Sequence, residues 1–312
     1  MDGKLNAALL RQLEEDASAL LGEHYPKLVA QRTRGLDSKH PPTNPHRLVD
    51  AIRRVAASRH NLEAGKGLVD AEAIIEVRTL LAFAERWRND ALWPELQNSL
   101  GDPNQYVHSL LLLAAHHVWS VAGNVVNLKR ADGTTRTFDL SMEDKGHSIA
   151  AEVKAPFKLR RGGKPPLKAL AAKEVVLDAI KKAGTREGGQ LPPDKCGLLI
   201  IGGLSLKQLD LDRLAHGAEA LFAARTLSHI GAIQILSIGI HISDPGPIGE
   251  HGVSMVAGSS LQTRFGIRFV QNPRYLGFVR LTPVPPTLEE KLLMATSREI
   301  DLPEQPSLRR FR

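Results

Sequence analysis

The stretch TRTFDLSMEDKGHSIAAEVK, residues 135–154, decides how the rest of the chain is read. Its first half alternates, with Thr135, Thr137, Asp139 and Ser141 on one strand face and Arg136, Phe138, Leu140 and Met142 on the other. The second half alternates again: Ile149, Ala151, Val153 and Ala155 form an apolar face, and Ser148, Ala150, Glu152 and Lys154 a polar one. Each strand therefore reads as half buried. A two-residue turn at Lys145-Gly146 pairs Asp144 with His147, and a four-residue loop pairs Glu143 with Ser148. Both registers put Asp139 opposite Glu152. Cross-strand Cβ atoms lie roughly 4.5–5.5 Å apart, so the two carboxylates are expected in one small volume, with Lys154 on the same face. Like charges that close need a cation to be tolerated. Hard oxygen donors, without paired cysteine or histidine spacing, favour Mg²⁺ or Mn²⁺ over Zn²⁺.

Outward from this hairpin the pattern is that of a mixed α/β sheet flanked by helices. Before it, Asp102-Pro103 caps an apolar helix from Asn104 to about Val121, ended by Gly123. Val125–Arg130 and Thr134–Met142 read as strands joined by a turn at Asp132-Gly133. After it, a helix opens at Pro165-Pro166 and stops at Gly184. The wholly apolar run Cys196–Ile201 predicts a strand buried on both faces. A helix over Lys207–Leu227 and a strand at Ile233–Ile242 follow. Val253–Val256, Thr263–Val270 and Tyr275–Leu281 read as further strands, and Leu288–Ala295 as a short helix before a basic tail. Residues 1–100 read as helical: Leu5–Leu21, a helix opened by Asn44-Pro45 and reaching Arg59, and the apolar stripe Gly67–Arg88, with Arg34–Pro45 as a loop. The expected division is a helical region over 1–100 and an α/β domain over 101–312.

Phe138-Asp139, a thirteen-residue step to Glu152, and then Val153-Lys154 resemble the motif of the PD-(D/E)XK nuclease superfamily. The helix–strand–strand–strand–helix–strand order over about residues 103–203 is similar to that superfamily's restriction-endonuclease-like core. The tripeptide alone carries nothing, since Glu143-Asp144-Lys145 and Glu289-Glu290-Lys291 also match it. Only Glu152–Lys154 lies in an expected strand with an aspartate opposite. Phe138 departs from the superfamily's proline. The resemblance implies that Asp139 and Glu152, with the carbonyl of Val153, ligate Mg²⁺ or Mn²⁺. It also implies that Lys154 positions the attacking water, as in a metal-dependent DNA endonuclease. Some relatives add a ligand from the preceding helix, where this chain offers His108, His116 and His117; His116 is the leading candidate, and Glu95 a weaker one. A glutamine–tyrosine signature is absent from Leu167–Lys182. His241 and His251 flank a Gly/Pro loop and read as structural.

Charge distribution points to the same class of partner. Residues 1–100 carry fourteen basic and fourteen acidic side chains, so the net charge of +7 lies wholly in 101–312. Seven cations (Lys154, Lys158, Arg160, Arg161, Lys164, Lys168 and Lys173) run without an acidic residue between Glu152 and Glu174. Such a strip attracts a polyanion, and the resemblance implies DNA in preference to RNA. The neutral first third suits a second copy of the chain or another protein. The single Cys196 excludes an internal disulfide and a cysteine-rich zinc site, and with no secretory h-region fits the cytoplasm. No apolar run reaches the ~20 residues of a membrane span. Two other readings stay open: a nucleic-acid-binding module that does not cut, and a protein-interaction scaffold on a nuclease-like core.

Overall fold

The computed structural model describes residues 6–37, 46–66, 69–85, 87–121, 124–128, 139–144, 147–159, 165–183, 190–191, 195–224, 227–249, 252–275 and 300–301. The chain forms two compact units. The first comprises Met1–Tyr106, Ile240–Thr263 and Leu293–Arg312, and the second Val107–Gly239 and Arg264–Leu292.

The first unit opens with five helices, α1 (Ala7–Leu21), α2 (His24–Asp37), α3 (Arg47–Glu63), α4 (Ala71–Glu85) and α5 (Trp93–Gly101). Leu10, Leu13, Ala17, Leu20 and Leu21 bury one stripe of α1, as a period of 3.6 requires. Two expectations change. Helix α2 continues to Asp37, four residues into the expected loop, and α3 is capped by His46, whose ring nitrogen accepts from Val49 N, rather than by Asn44. Asn44-Pro45 lies outside the described residues. Helix α4 is buried on more than one stripe, because Glu76 is buried along with its apolar neighbours. The Glu76 carboxylate accepts from Arg47 Nε at 2.8 and 3.0 Å and from the fully buried Tyr106 hydroxyl at 3.1 Å. A buried charge survives only when it is paired and hydrogen-bonded in this way.

The second unit is a mixed sheet between helices. Its elements run α6 (Tyr106–Val121), β1 (Val125–Leu128), β2 (Leu140–Asp144), β3 (His147–Lys154), a 3-10 turn (Phe157–Leu159), α7 (Ala169–Ala183), β4 (Cys196–Leu204) and α8 (Gln208–Ala224). Strands β5 (Ile230–Gly249) and β6 (Gly252–Gln271) follow, of which β5 from Ile240 onward and β6 up to Thr263 belong to the first unit. The strands lie in the order β1-β2-β3-β4-β5-β6, and the two-residue β7 (Ile300–Asp301) pairs with β6 at Ser260 and Leu261. Antiparallel pairing joins β1 to β2 and β2 to β3; β4 is parallel to both β3 and β5.

All nine residues of β4 are buried, as its unbroken apolar run requires. On one face Ala150, Leu199, Ile201, Ile233 and Ile235 pack with Val175, Val176, Ile180, Leu214, Ala218 and Phe222 of α7 and α8. On the other, Trp119 of α6 donates from Nε1 to Gln234 at 2.9 Å, and Leu111 of α6 lies against Gly202. Both faces of β3 are therefore covered. This corrects the half-buried reading, since Ala150 and Glu152 on the supposed polar face are as buried as Ala151 and Val153.

The β2–β3 register follows expectation: Asp144↔His147, Glu143↔Ser148 and onward to Leu140↔Ala151. The β1–β2 register does not. A two-residue turn at Asp132-Gly133 would pair Leu128 with Thr137, whereas Leu128 faces Leu140; the turn itself lies outside the described residues. Helix α7 starts at Ala169, not at the prolines, and just ahead of it Leu167 N donates to Asp210 Oδ1 at 2.6 Å. Strands β5 and β6 are each twenty residues long. β5 runs through the expected Gly/Pro loop as far as Gly249, since proline's φ suits extended chain. β6 merges the strands expected at Val253–Val256 and Thr263–Val270. Residues 276–281 of the next expected strand, the Leu288–Ala295 helix and the basic tail lie outside the described residues. No helix among the described residues is long and apolar enough to cross a membrane.

Candidate functional site

Strand β3 leaves the hairpin with its last residues still inside the sheet, and β2 begins one residue after Asp139. Continuing the Leu140↔Ala151 register by one step sets Asp139 opposite Glu152. The contact that fixes it is direct: Val153 N donates to Asp139 Oδ2 at 2.7 Å. A side-chain carboxylate thus takes the ladder position that a strand carbonyl would fill. A strand residue directs its N–H and C=O to the same neighbour, so the Val153 carbonyl is turned to the Asp139 side as well.

Glu152 is 1% exposed. Its Oε1 accepts from Lys154 Nζ, two residues on along the same face. Among the described residues nothing hydrogen-bonds its buried Oε2. Burial first, and the charge of Asp139 second, push its carboxyl from the usual 4.5 up to about 8, with Lys154 and the Asp139 backbone N–H only partly offsetting them. A buried carboxylate oxygen without a hydrogen-bond partner is costly to leave unmatched. It is the kind of donor atom that a small cation satisfies. The side chains of Asp139 and Lys154 keep about a fifth of their surface open, so the pair lies at the rim of a buried acid.

Lys154 Nζ makes a second bond, to Gln190 Oε1 at 2.8 Å, just beyond α7. No pattern along the chain points to Gln190. It stands in no helical or strand period, and its approach depends on the path between α7 and β4. Of the three helix histidines, it is His108 that approaches the site, its Nε2 being 3.9 Å from Asp139 Oδ1. His116, the expected extra ligand, is turned instead to β1: its Nε2 lies 3.2 Å from the Val126 carbonyl and Nδ1 3.5 Å from Ser120 Oγ. Which turn of the helix faces Asp139 is decided by the azimuth of α6 on the sheet. His117 stacks on Phe265, ring centroids 6.3 Å apart. Glu95 is on the first turn of α5, in the first unit. The His241 side chain and His251 lie outside what is described, as does Phe138.

Of the basic strip, Lys158, Lys168 and Lys173 are exposed. Lys158 sits 3.7 Å from Glu174 Oε2, an open pair that contributes little. Arg160, Arg161 and Lys164 lie outside the described residues. Among the described residues no set of three or more His, Cys, Asp and Glu side chains is grouped to hold a metal ion. No family model matches the chain, and comparison with curated proteins and with solved structures gives no match.

Proposed function

We propose that the chain is a metal-dependent nuclease that hydrolyses phosphodiester bonds in DNA, on a restriction-endonuclease-like core. One observation carries the reading: a buried glutamate with an unmatched oxygen sits beside a second carboxylate and a lysine at the end of a sheet strand. The α6-β1-β2-β3-α7-β4 order, with an antiparallel hairpin followed by a parallel strand, supports the resemblance noted above.

Asp139, Glu152 and the Val153 carbonyl would hold Mg²⁺ or Mn²⁺. Such an ion, when bound, supplies positive charge to the scissile phosphate and makes water a better nucleophile. Asp139, fixed by Val153 N, sets the position of the second carboxylate. Glu152 must give up its proton to serve as a ligand, which the ion's charge favours. Lys154 Nζ, tethered by Gln190, orients the attacking water and faces the phosphate oxygens. The water oxygen bonds to phosphorus and releases one proton to solvent as the bond from phosphorus to the leaving oxygen breaks, and the leaving oxygen takes up a proton in its place. Lys158, Lys168 and Lys173 contact the backbone without reading bases.

The decisive experiment is a digestion panel on plasmid DNA and RNA with Mg²⁺, Mn²⁺ and EDTA. Because Glu152 is buried, Glu152→Gln is a better probe than Ala, keeping the shape while removing the charge. Cleavage should need the metal and disappear in Asp139→Asn, Glu152→Gln and Lys154→Ala. Full activity in EDTA or in Glu152→Gln sinks the proposal. The lack of a third grouped ligand among the described residues favours one other reading, a module that binds nucleic acid without cutting it. That reading predicts binding with no product in any metal.

A further inference from the structure

Lys154 Nζ serves two acceptors at once. It donates to Glu152 Oε1 and, at 2.8 Å, to Gln190 Oε1. The two differ in kind. Glu152 is 1% exposed, and a carboxylate that deep keeps its charge only beside a cation. Gln190 is half-buried and neutral, so its amide oxygen holds an ammonium without requiring one.

The seat at Gln190 is built into the fold. Gln190 N donates to the carbonyl of Ala183, the last residue of α7, at 2.9 Å. The next residue, Leu191, is buried in the core that the sheet shares with α7 and α8. The moving part is the lysine. Its side chain is 20% exposed and ends a flexible four-carbon stem, so it reaches the buried acid from the rim.

Charge decides between the two acceptors. When both acids are ionised, Asp139 and Glu152 carry two negative charges and Lys154 returns one positive charge. His108, with Nε2 3.9 Å from Asp139 Oδ1, is a further titratable group facing them. A divalent ion on the two carboxylates would neutralise them by itself, and an ammonium left on Glu152 would then be repelled at close range. Gln190 lets that ammonium leave without being stranded. We infer that Lys154 is an exchangeable counter-ion: its ammonium balances Glu152 until a divalent ion takes over, and is then kept by Gln190 alone. The inference rests on the nuclease reading for the ion and adds an order of events to it. While the amine is engaged by Glu152 it cannot serve the attacking water, so the site stays idle until the ion is seated.

The test is a double-mutant cycle read as Mn²⁺ affinity, with no DNA present. Free Mn²⁺ is followed by electron paramagnetic resonance in the full chain at one fixed pH, for wild type, Gln190→Ala, Lys154→Met and the double variant. Gln190→Ala should weaken Mn²⁺ binding roughly 2- to 10-fold, within the coupling range of groups in contact, because the displaced ammonium loses its second acceptor. In the Lys154→Met background the same change should do nothing. Gln190→Glu, which draws the ammonium off Glu152, should tighten binding in wild type and do so less in Lys154→Met. It carries the test if thermal melts in EDTA show Gln190→Ala to be unfolded. Equal effects in both backgrounds, or no effect in either, overturn the exchange while leaving the nuclease reading in place. Loss of Mn²⁺ binding in Lys154→Met overturns it too, since a displaced group cannot be required. Coupling between the two positions with no cutting of DNA in any metal supports the exchange and removes the nuclease. No Mn²⁺ binding to wild type overturns both.

Discussion

At the residue scale the chemistry turns on Glu152. Between its ordinary value of 4.5 and about 8, the folded metal-free protein holds a proton that the unfolded chain releases. The folded state then binds more protons than the unfolded one, so stability declines as pH rises through that window and carries no such penalty below it. In EDTA, the wild-type melting temperature should fall between pH 5 and pH 8, and Glu152→Gln, which imitates the protonated acid, should show a flatter profile. Mg²⁺ should reverse the decline at pH 8 in wild type alone. Matching profiles for the two proteins would mean that Glu152 is already ionised. Gln190 offers a second test, through Lys154. Gln190→Ala should lower kcat about ten- to a hundredfold through misplacement of the amine, with KM for DNA unmoved. Gln190→Glu, which keeps an acceptor oxygen, should recover more activity than Ala. An unchanged kcat in Gln190→Ala would make that hydrogen bond merely structural. Asp139, Glu152 and Lys154 were legible as neighbours because a period of two and a short turn fix a register. Gln190 and His108 were not, since a loop path and a helix azimuth are settled only by tertiary packing.

At the element scale the floor of the site depends on backbone approaches that no side chain could permit. Gly203 of β4 lies under the 3-10 turn, with Leu159 O 2.2 Å and Leu159 Cβ 2.8 Å from where its own Cβ would be. Gly203→Ala must push that turn away, and overpacking of this kind costs about 1–3 kcal/mol. Urea unfolding should show a lower midpoint with an unchanged slope. Because the turn carries Phe157 and Lys158, DNA binding should weaken as well. A variant of wild-type stability would show the turn to be loosely seated. The strands and helices themselves were largely readable: β4 from its apolar run, α1 from its stripe, the β2–β3 hairpin from alternation. Boundaries were less so wherever a distant group intervened. Asp210 binds Leu167 N just ahead of α7 from 43 residues away. The burial of Glu76 in α4 depends on Arg47 and Tyr106, which close around it from outside its own helix.

At the scale of the whole molecule, charge sets the expected grip. The described cations flanking the site are Lys158, Lys168 and Lys173, and three phosphate contacts carry a salt slope of roughly 3 × 0.9, near 2.7. Replacing all three with Gln should flatten the slope of log K against log[salt] by about that amount and weaken binding alike on all sequences. The metal requirement should not change. An unaltered slope would make them solvated side chains and shift attention to Arg160, Arg161 and Lys164. The mixed α/β class was plain in the sequence, but the interleaving of the two units was not, because segments far apart in the chain leave no local period. That interleaving bears on how the protein is made. The hydroxyls of Thr79 on α4 and Thr263 on β6 meet at 2.5 Å, 184 positions apart and within one unit. During synthesis α4 leaves the ribosome long before β6 exists, and Val107–Gly239 emerges in between. The amino-terminal helices therefore wait, incomplete, while the sheet that bears the site is being delivered. A fragment ending at Tyr106 is a part of a unit, and when expressed alone it reports on an unfinished fold rather than on a domain.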